Sequence, residues 1–317
     1  LFELVFKSKS IRLIDDSFPA FSVISNPKAP QMRVITILFL FLISNSLVAQ
    51  DFDSTFSGPK AIKEIKADKF EELSGIAFSR VHAGVFYGRT DSGGKSSVYM
   101  FNADGEELGE IKLDKVENRD WEDIAVGPGP GGKSYIYIGE IGDNAAVHDE
   151  VFIYRIPEPT KLKPESEEKP EKIKLTYPGG ARDAETLMVD PISGDIYIIS
   201  KRDKKNNIYC LPAERFNDKE FELEKAGELN FTSSVAGDIS ADGNQILIKS
   251  YLNIYYWTRK PGESIEQALS REPLMLIYNP EPQGEAIGFQ PDGKAYFTIS
   301  EKRFDINPTL YRYEARN

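Results

Sequence analysis

The 317-residue chain has one cysteine, Cys210, and two histidines, His82 and His148. A single cysteine excludes an internal disulfide, and its setting, NNIYCLPA, reads as a strand with a small buried hydrophobe. Two histidines exclude a histidine-rich metal centre and argue against a histidine-dependent triad, although one histidine can still act alone. Positive charge is also short: 39 basic residues face 50 acidic ones, a net −11. That balance argues against nucleic acid or an anionic membrane surface as a main partner. It suits a cationic ligand, a metal ion or plain solubility. Long amphipathic helices are missing as well. The nearest candidate, GESIEQALSRE at residues 262–272, is short and reads as an excursion between strands.

A long apolar run stands near the start. MRVITILFLFLISNSLVAQD begins at Met32 with a basic residue, runs apolar from Val34 to Ile43 and ends polar at Ala49-Gln50. This is the plan of a secretory signal peptide, too short to span a bilayer comfortably. We expect residues 32–49 to be that peptide and residues 1–31 an over-extended gene start. Residues 51–317 are then a single exported domain, periplasmic or secreted, with no membrane insertion after cleavage. Without residues 1–50 the chain has 34 basic and 47 acidic residues, a net −13.

The remainder reads as short strands punctuated by Gly, Pro, Asn and Asp. EELSGIAFS, RDWEDIAVG, RDAETLMVD, VAGDISADG and QGEAIGFQPDG align on Ile76, Ile124, Leu187, Ile239 and Ile287, spaced 48, 63, 52 and 48 residues apart. Each unit offers an acid-led strand, an aliphatic strand, a tyrosine-bearing strand and an outer strand. The fifth lacks its outer strand, and KAIKEIKA at residues 60–67 lies unused ahead of the first. The pattern predicts an all-β fold, a β-propeller of five four-stranded blades closed by that N-terminal strand. Six blades are the alternative, because the 63-residue unit has room for extra strands around KLKPESEEKPEK. We read that charged stretch as a solvated loop.

First strands line a propeller's channel, so the acids at their mouths come together. Asp120 and Glu122 match Asp183 and Glu185; Glu285 takes the glutamate position in the fifth unit, and Asp238 stands one residue displaced in the fourth. Residues two apart on a strand face one side, which aims Asp120 and Glu122 at the channel and Trp121 and Asp123 at the neighbouring sheet. Like charges about 4 Å apart repel by roughly 4 kcal/mol at an effective dielectric near 20. A bound cation, paired arginine or lysine, or raised pKa values offset that. Calcium suits carboxylates without histidine or thiolate. The internal neutralisers are Arg119 and Arg182, or Arg89, Lys201 and Lys249 on second strands. Acids that tie one blade to the next are the structural alternative. A second set ends the second strands: Arg89 and Asp91, Glu140, Asp143 and Asn144, Lys201 and Arg202, and Glu301. Turn geometry accounts for each of these singly; their equivalent positions point to a ligand site at the channel mouth.

GPGPGGKS, from Gly127 to Ser134, matches a phosphate-binding loop literally. That mechanism needs a following helix, and SYIYIGEI alternates as a strand; two prolines also remove amide donors. It is a turn.

The steps Asp120-Trp121-Glu122-Asp123-Ile124-Ala125, Asp183-Ala184-Glu185-Thr186-Leu187, Gly284-Glu285-Ala286-Ile287 and Asp292-Gly293-Lys294-Ala295-Tyr296 resemble those of secreted bacterial propellers of the SdiA-regulated, phytase-like and gluconolactonase-like kind. The resemblance spans most of residues 70–315 and implies the fold first; that group includes calcium-dependent hydrolases. The expectation is a calcium-binding hydrolase or binding protein for a small-molecule, glycan or protein ligand. Asp120, Glu122, Asp183, Glu185, Asp238 and Glu285 are its metal set. Glu140, Asp143, Lys201 and Arg202 are the catalytic set, and Arg89, Asp91, Asn144, Arg182, Lys249 and Glu301 bind the ligand. A non-catalytic interaction platform is the competing reading.

Overall fold

Twenty-two strands account for nearly all regular structure in the computed structural model, which describes residues 52–65, 70, 72–91 and 93–316. The expected signal peptide and the segment before it lie outside the described residues. Strand β1 is Lys60–Glu64. The first blade is β2 (Leu73–Phe78), β3 (Val85–Thr90), β4 (Ser97–Asn102) and β5 (Glu107–Leu113). The second runs β6 (Trp121–Pro128), β7 (Ser134–Glu140) and β8 (Val151–Pro157), then, after β9 (Glu165–Glu168), β10 (Glu171–Thr176). The third is β11 (Ala184–Val189), β12 (Ile196–Ser200) and β13 (Asn207–Leu211), then, after β14 (Glu220–Glu222), β15 (Glu224–Glu228). The fourth is β16 (Ser234–Ile239), β17 (Gln245–Ser250), β18 (Ile254–Thr258) and the short β19 (Leu274–Met275), reached through helix α1 (Ile265–Leu269). The fifth is β20 (Ala286–Phe289), β21 (Ala295–Ile299) and β22 (Thr309–Glu314).

The fifth blade takes its outer strand from the other end of the chain: β1 pairs antiparallel with β22, Lys60 opposite Arg312. This is the closure anticipated from the missing outer strand, and the fold is a five-bladed propeller. Residues just before β1 add to the seal. Asp53 bridges to Leu276 of the fourth blade and Phe56 to Ala315 of the fifth, and the Phe56 ring packs edge-on against Tyr296 and Tyr256.

Burial grades outward, as the sequence pattern requires. The inner strands β2, β11 and β16 are buried at every residue. The outer β5 alternates, with Gly109, Ile111 and Leu113 inward. Five apolar clusters fill the spaces between neighbouring blades, one per interface. Each fully buried aliphatic or aromatic side chain there contributes about 1.5–3 kcal/mol.

KLKPESEEKPEK differs from the solvated loop expected. Its centre is β9, which pairs parallel with β5 and gives the first blade a fifth strand. β14 does the same for the second blade on β10. Each added strand is an excursion from the connection of the following blade, so both stitch neighbours together. The phosphate-loop lookalike is the turn anticipated: Gly131 and Gly132 adopt left-handed φ values of 67° and 69°, and β7 follows directly.

At the end of β2, Arg80 donates to the Ile239 carbonyl at 3.2 Å. The first and fourth blades are not neighbours, so this side chain reaches across the channel at one end. The acids stand at the other. Among the described residues no helix is long and apolar enough to cross a membrane.

Candidate functional site

The starts of the inner strands and the ends of the second strands meet at the open end of the channel. They enclose a cavity of about 360 Å³. Its walls are Asp91, Glu122, Glu185 and Glu285, its cations Lys201, Arg202 and Arg303, and its remaining lining Asn144, Tyr251, Gln283 and Phe304.

The glutamates of blades two and three are aimed by the backbone itself. Pairing of β6 with β7 shifts between Trp121 and Asp123, and that of β11 with β12 between Ala184 and Thr186. The residue left over in each bulge is the glutamate, and a bulge turns its extra side chain out of the ladder. Asp120 joins Glu122 as expected. One oxygen each from Asp91, Asp120 and Glu122 lies within 4.8 Å of the others. Gly142 sits against this group; a Cβ on it would overlap Glu122 and stand 2.6 Å from Asp120 Oδ2.

Two buried cations offset the acids. Lys201 Nζ bonds Glu185 Oε1 and lies 3.6 Å from Glu285 Oε1. Glu285 also accepts from the Tyr251 hydroxyl. Burial works against the Lys201 charge, but Glu185 and Glu285 hold it protonated, above the usual lysine range. Arg89 is fully buried beneath the cavity instead of lining it. It donates to the Trp121 carbonyl and to Ser74 Oγ, and lies 3.9 Å from Glu122 and 3.8 Å from Asp91. Compensation is incomplete. Burial, then the mutual repulsion with Glu185, pushes Glu122 well above the carboxylate range. Burial does the same to Glu185 despite Lys201, with Glu285 adding to it. Glu185 Oε2 is buried without a hydrogen-bond partner. Behind them Glu301 is raised to about 9 by burial, then by Glu285 and Asp91. It is therefore protonated at neutral pH.

Other sequence-selected residues stand apart from the cavity. Asp238, expected among the metal ligands, is a clasp: its carboxylate accepts from its neighbour Ile239 N at 2.8 Å and from Phe289 N of blade five at 2.7 Å. Asp123 ties blade two to blade three in the same way, through Ile124 N and Leu187 N, both at 2.9 Å. Asp183 accepts from the Asp143 amide at 2.9 Å and from Arg202 Nε at 2.5 Å, one bond on each oxygen. Asp143 in turn accepts from the His148 amide at 2.7 Å and shapes a turn. Glu140 ends β7 facing a separate groove, 3.9 Å from Arg119 and 3.4 Å from the Tyr154 hydroxyl. Arg182 pairs with Asp203 at 2.9 Å. Lys249 is fully buried on the Gly284 carbonyl, and burial lowers it to about 8. Asn144 and Arg202 do reach the cavity, bonded to each other.

Tyr251, Gln283, Arg303 and Phe304 were not singled out from the sequence. The repeat marks two of them by position: Gln283 stands two residues before Glu285, as Asp120 does before Glu122, and Tyr251 follows Ser250 as Lys201 follows Ser200. Arg303 lies two residues past Glu301, and nothing in the repeat marks Phe304.

No protein-family model matches the chain, and no curated protein matches it. Solved structures do. A luciferin-regenerating enzyme shares 12% identity at a TM-score of 0.48, over 81% of this chain and 96% of that one. A hydrazine synthase chain of Kuenenia stuttgartiensis shares 11% at 0.44, over 78% and 97%. A chain of a nidogen/laminin complex shares 13% at 0.43, over 72% of each. The likeness is one of β-propeller fold.

Proposed function

We propose that the protein is an exported propeller that binds a hard divalent cation, calcium, at the mouth of its channel and holds a small or oligomeric polar ligand above it. The observation that carries this is the convergence of Asp91, Asp120 and Glu122 oxygens within 4.8 Å of one another, with Gly142 packed against the last two. The donors are all oxygen, with no imidazole or thiolate in the cavity, which suits calcium. Glu185, whose Oε2 is buried and unpartnered, lines the same cavity. The resemblance to secreted SdiA-regulated, phytase-like and gluconolactonase-like propellers agrees with this reading. Metal-assisted hydrolysis is the second reading. It is favoured by the raised pKa values of Glu122 and Glu185, because a carboxyl shifted toward neutrality serves as an acid or base.

Thermal unfolding tests the cation. Calcium at a hundredfold excess over its Kd stabilises by about 2.7 kcal/mol, and EGTA should reverse the gain. Gly142→Ala fills the cradle without changing charge and should abolish the calcium response. An unchanged Tm at millimolar calcium sinks the reading.

A further inference from the structure

The cavity rim carries a residue that the fold does not use. The nine-residue connection between β21 and β22, residues 300–308, holds a tight turn in which Arg303 and Ile306 bridge and Phe304 and Asp305 are the central pair. Both central residues have left-handed φ values, 52° and 60°. Such turns normally take Asn-Gly or Asp-Gly, and a bulky side chain there is strained. Phe304 is also 82% exposed, the largest exposure among the described large hydrophobics. Its ring overhangs the acidic cavity with the Arg303 guanidinium 5.7 Å away. Among the described residues no hydrogen bond or ion pair holds the Arg303 side chain. Arg202 stands on the same cavity, its side chain 53% exposed.

An apolar ring beside the Arg303 guanidinium and the half-exposed Arg202, which Asp183 and Asn144 hold in place, above hydroxyl-accepting carboxylates, has one well-matched partner. The ring suits the C–H face of a sugar, the arginines a planar anion, and the carboxylates its hydroxyl groups. The charge agrees once a cation is present. With Asp120, which the cation reading also uses, five carboxylates face three cations, a deficit of two, and a divalent ion removes it. We propose that Phe304, Arg303 and Arg202 form the recognition rim for a sugar bearing an anionic group, and that the bound cation makes the cavity receptive to it. This rests on the cation reading above.

Titration calorimetry on the full chain tests it, with digalacturonate, glucose 6-phosphate and the neutral disaccharide cellobiose as probes, each with calcium and with EGTA. The expected result is binding of at least one anionic sugar only with calcium, and cellobiose at least tenfold weaker. The carboxylate and phosphate arms tell which anion is preferred. Phe304→Gly should weaken binding tenfold or more without lowering Tm, because glycine relieves the left-handed turn. Arg303→Gln should weaken anionic sugars and leave cellobiose unchanged. Equal binding of neutral and anionic sugars, wild-type affinity in Phe304→Gly, or binding of spermidine in place of the sugars overturns the proposal. A calcium-induced Tm shift in the same samples without sugar binding overturns this inference alone and leaves the cation site standing.

Discussion

Lys201→Met removes the one ammonium shared by two cavity glutamates and keeps the apolar stem. At 3.6 Å and an effective dielectric near 20, its attraction to Glu285 alone is about 4–5 kcal/mol before desolvation. Deleting one partner of a buried ion pair typically costs about 3–5 kcal/mol, because the other charge is left uncompensated. Burial already raises Glu185, so in acid its orphaned carboxylate takes up a proton, and the loss falls to roughly 1 kcal/mol of packing and hydrogen bonding. At about 2–4 °C per kcal/mol for a domain of this size, Tm should drop by roughly 10 °C near pH 8 and by about 3 °C near pH 5. Scanning calorimetry of wild type and variant at both pH values, in EGTA, measures the difference. A loss equal at the two pH values, or larger in acid, would refute the view that Lys201 acts as counter-charge.

The clasps make a second prediction. Asp123→Ala and Asp238→Ala each strand two buried amides and should cost about 2–4 kcal/mol in denaturant unfolding; a loss under 1 kcal/mol in both would contradict the assignment. A third concerns pH. Glu122, Glu185 and Glu301 have folded pKa values above their unfolded ones, with Glu301 at about 9. Their contribution is complete below about pH 4.5 and is lost as pH rises through the folded values. The calcium-free protein should therefore melt at lower temperature near pH 9 than near pH 6, and calcium should narrow the gap. A stability maximum in alkali without calcium contradicts this.

The blades were legible because each carries a complete signal: a buried inner strand with its Ile or Leu anchor, a Gly-containing turn and a tyrosine strand. Closure was legible from a deficit, since a fifth unit without an outer strand needs one from elsewhere. β9 was not. Its Glu-Ser-Glu-Glu sequence pairs through backbone bonds and one exposed ion pair, Glu165 with Lys112 at 2.6 Å, so no apolar alternation marks it. Asp238 was grouped by residue type, whereas its offset from Ile239 equals that of Asp123 from Ile124 and marks it as a clasp. Glu140 was placed by strand order; the face its side chain takes at the end of β7 decides otherwise. Arg303 and Phe304 sit on a loop outside the repeat, where no periodicity constrains the residue. The compensation of the acids was partly legible, since Arg89 and Lys201 were named beside Arg119 and Arg182, and only the first two reach the cavity acids.

Arg80 spans the end of the propeller's tunnel away from the acids. A ligand that enters at the acidic end does so past Phe304 and Arg202 and leaves the same way. An ion on the wall at Asp120 and Glu122 lies deeper than a ligand seated on the rim. If both proposed ligands bind, loading should be sequential, ion first and rim ligand second, with unloading in reverse. A rim ligand traps the ion beneath it, so the dissociation rate of calcium should fall as that ligand's concentration rises, a dependence that a channel open at both ends would not produce.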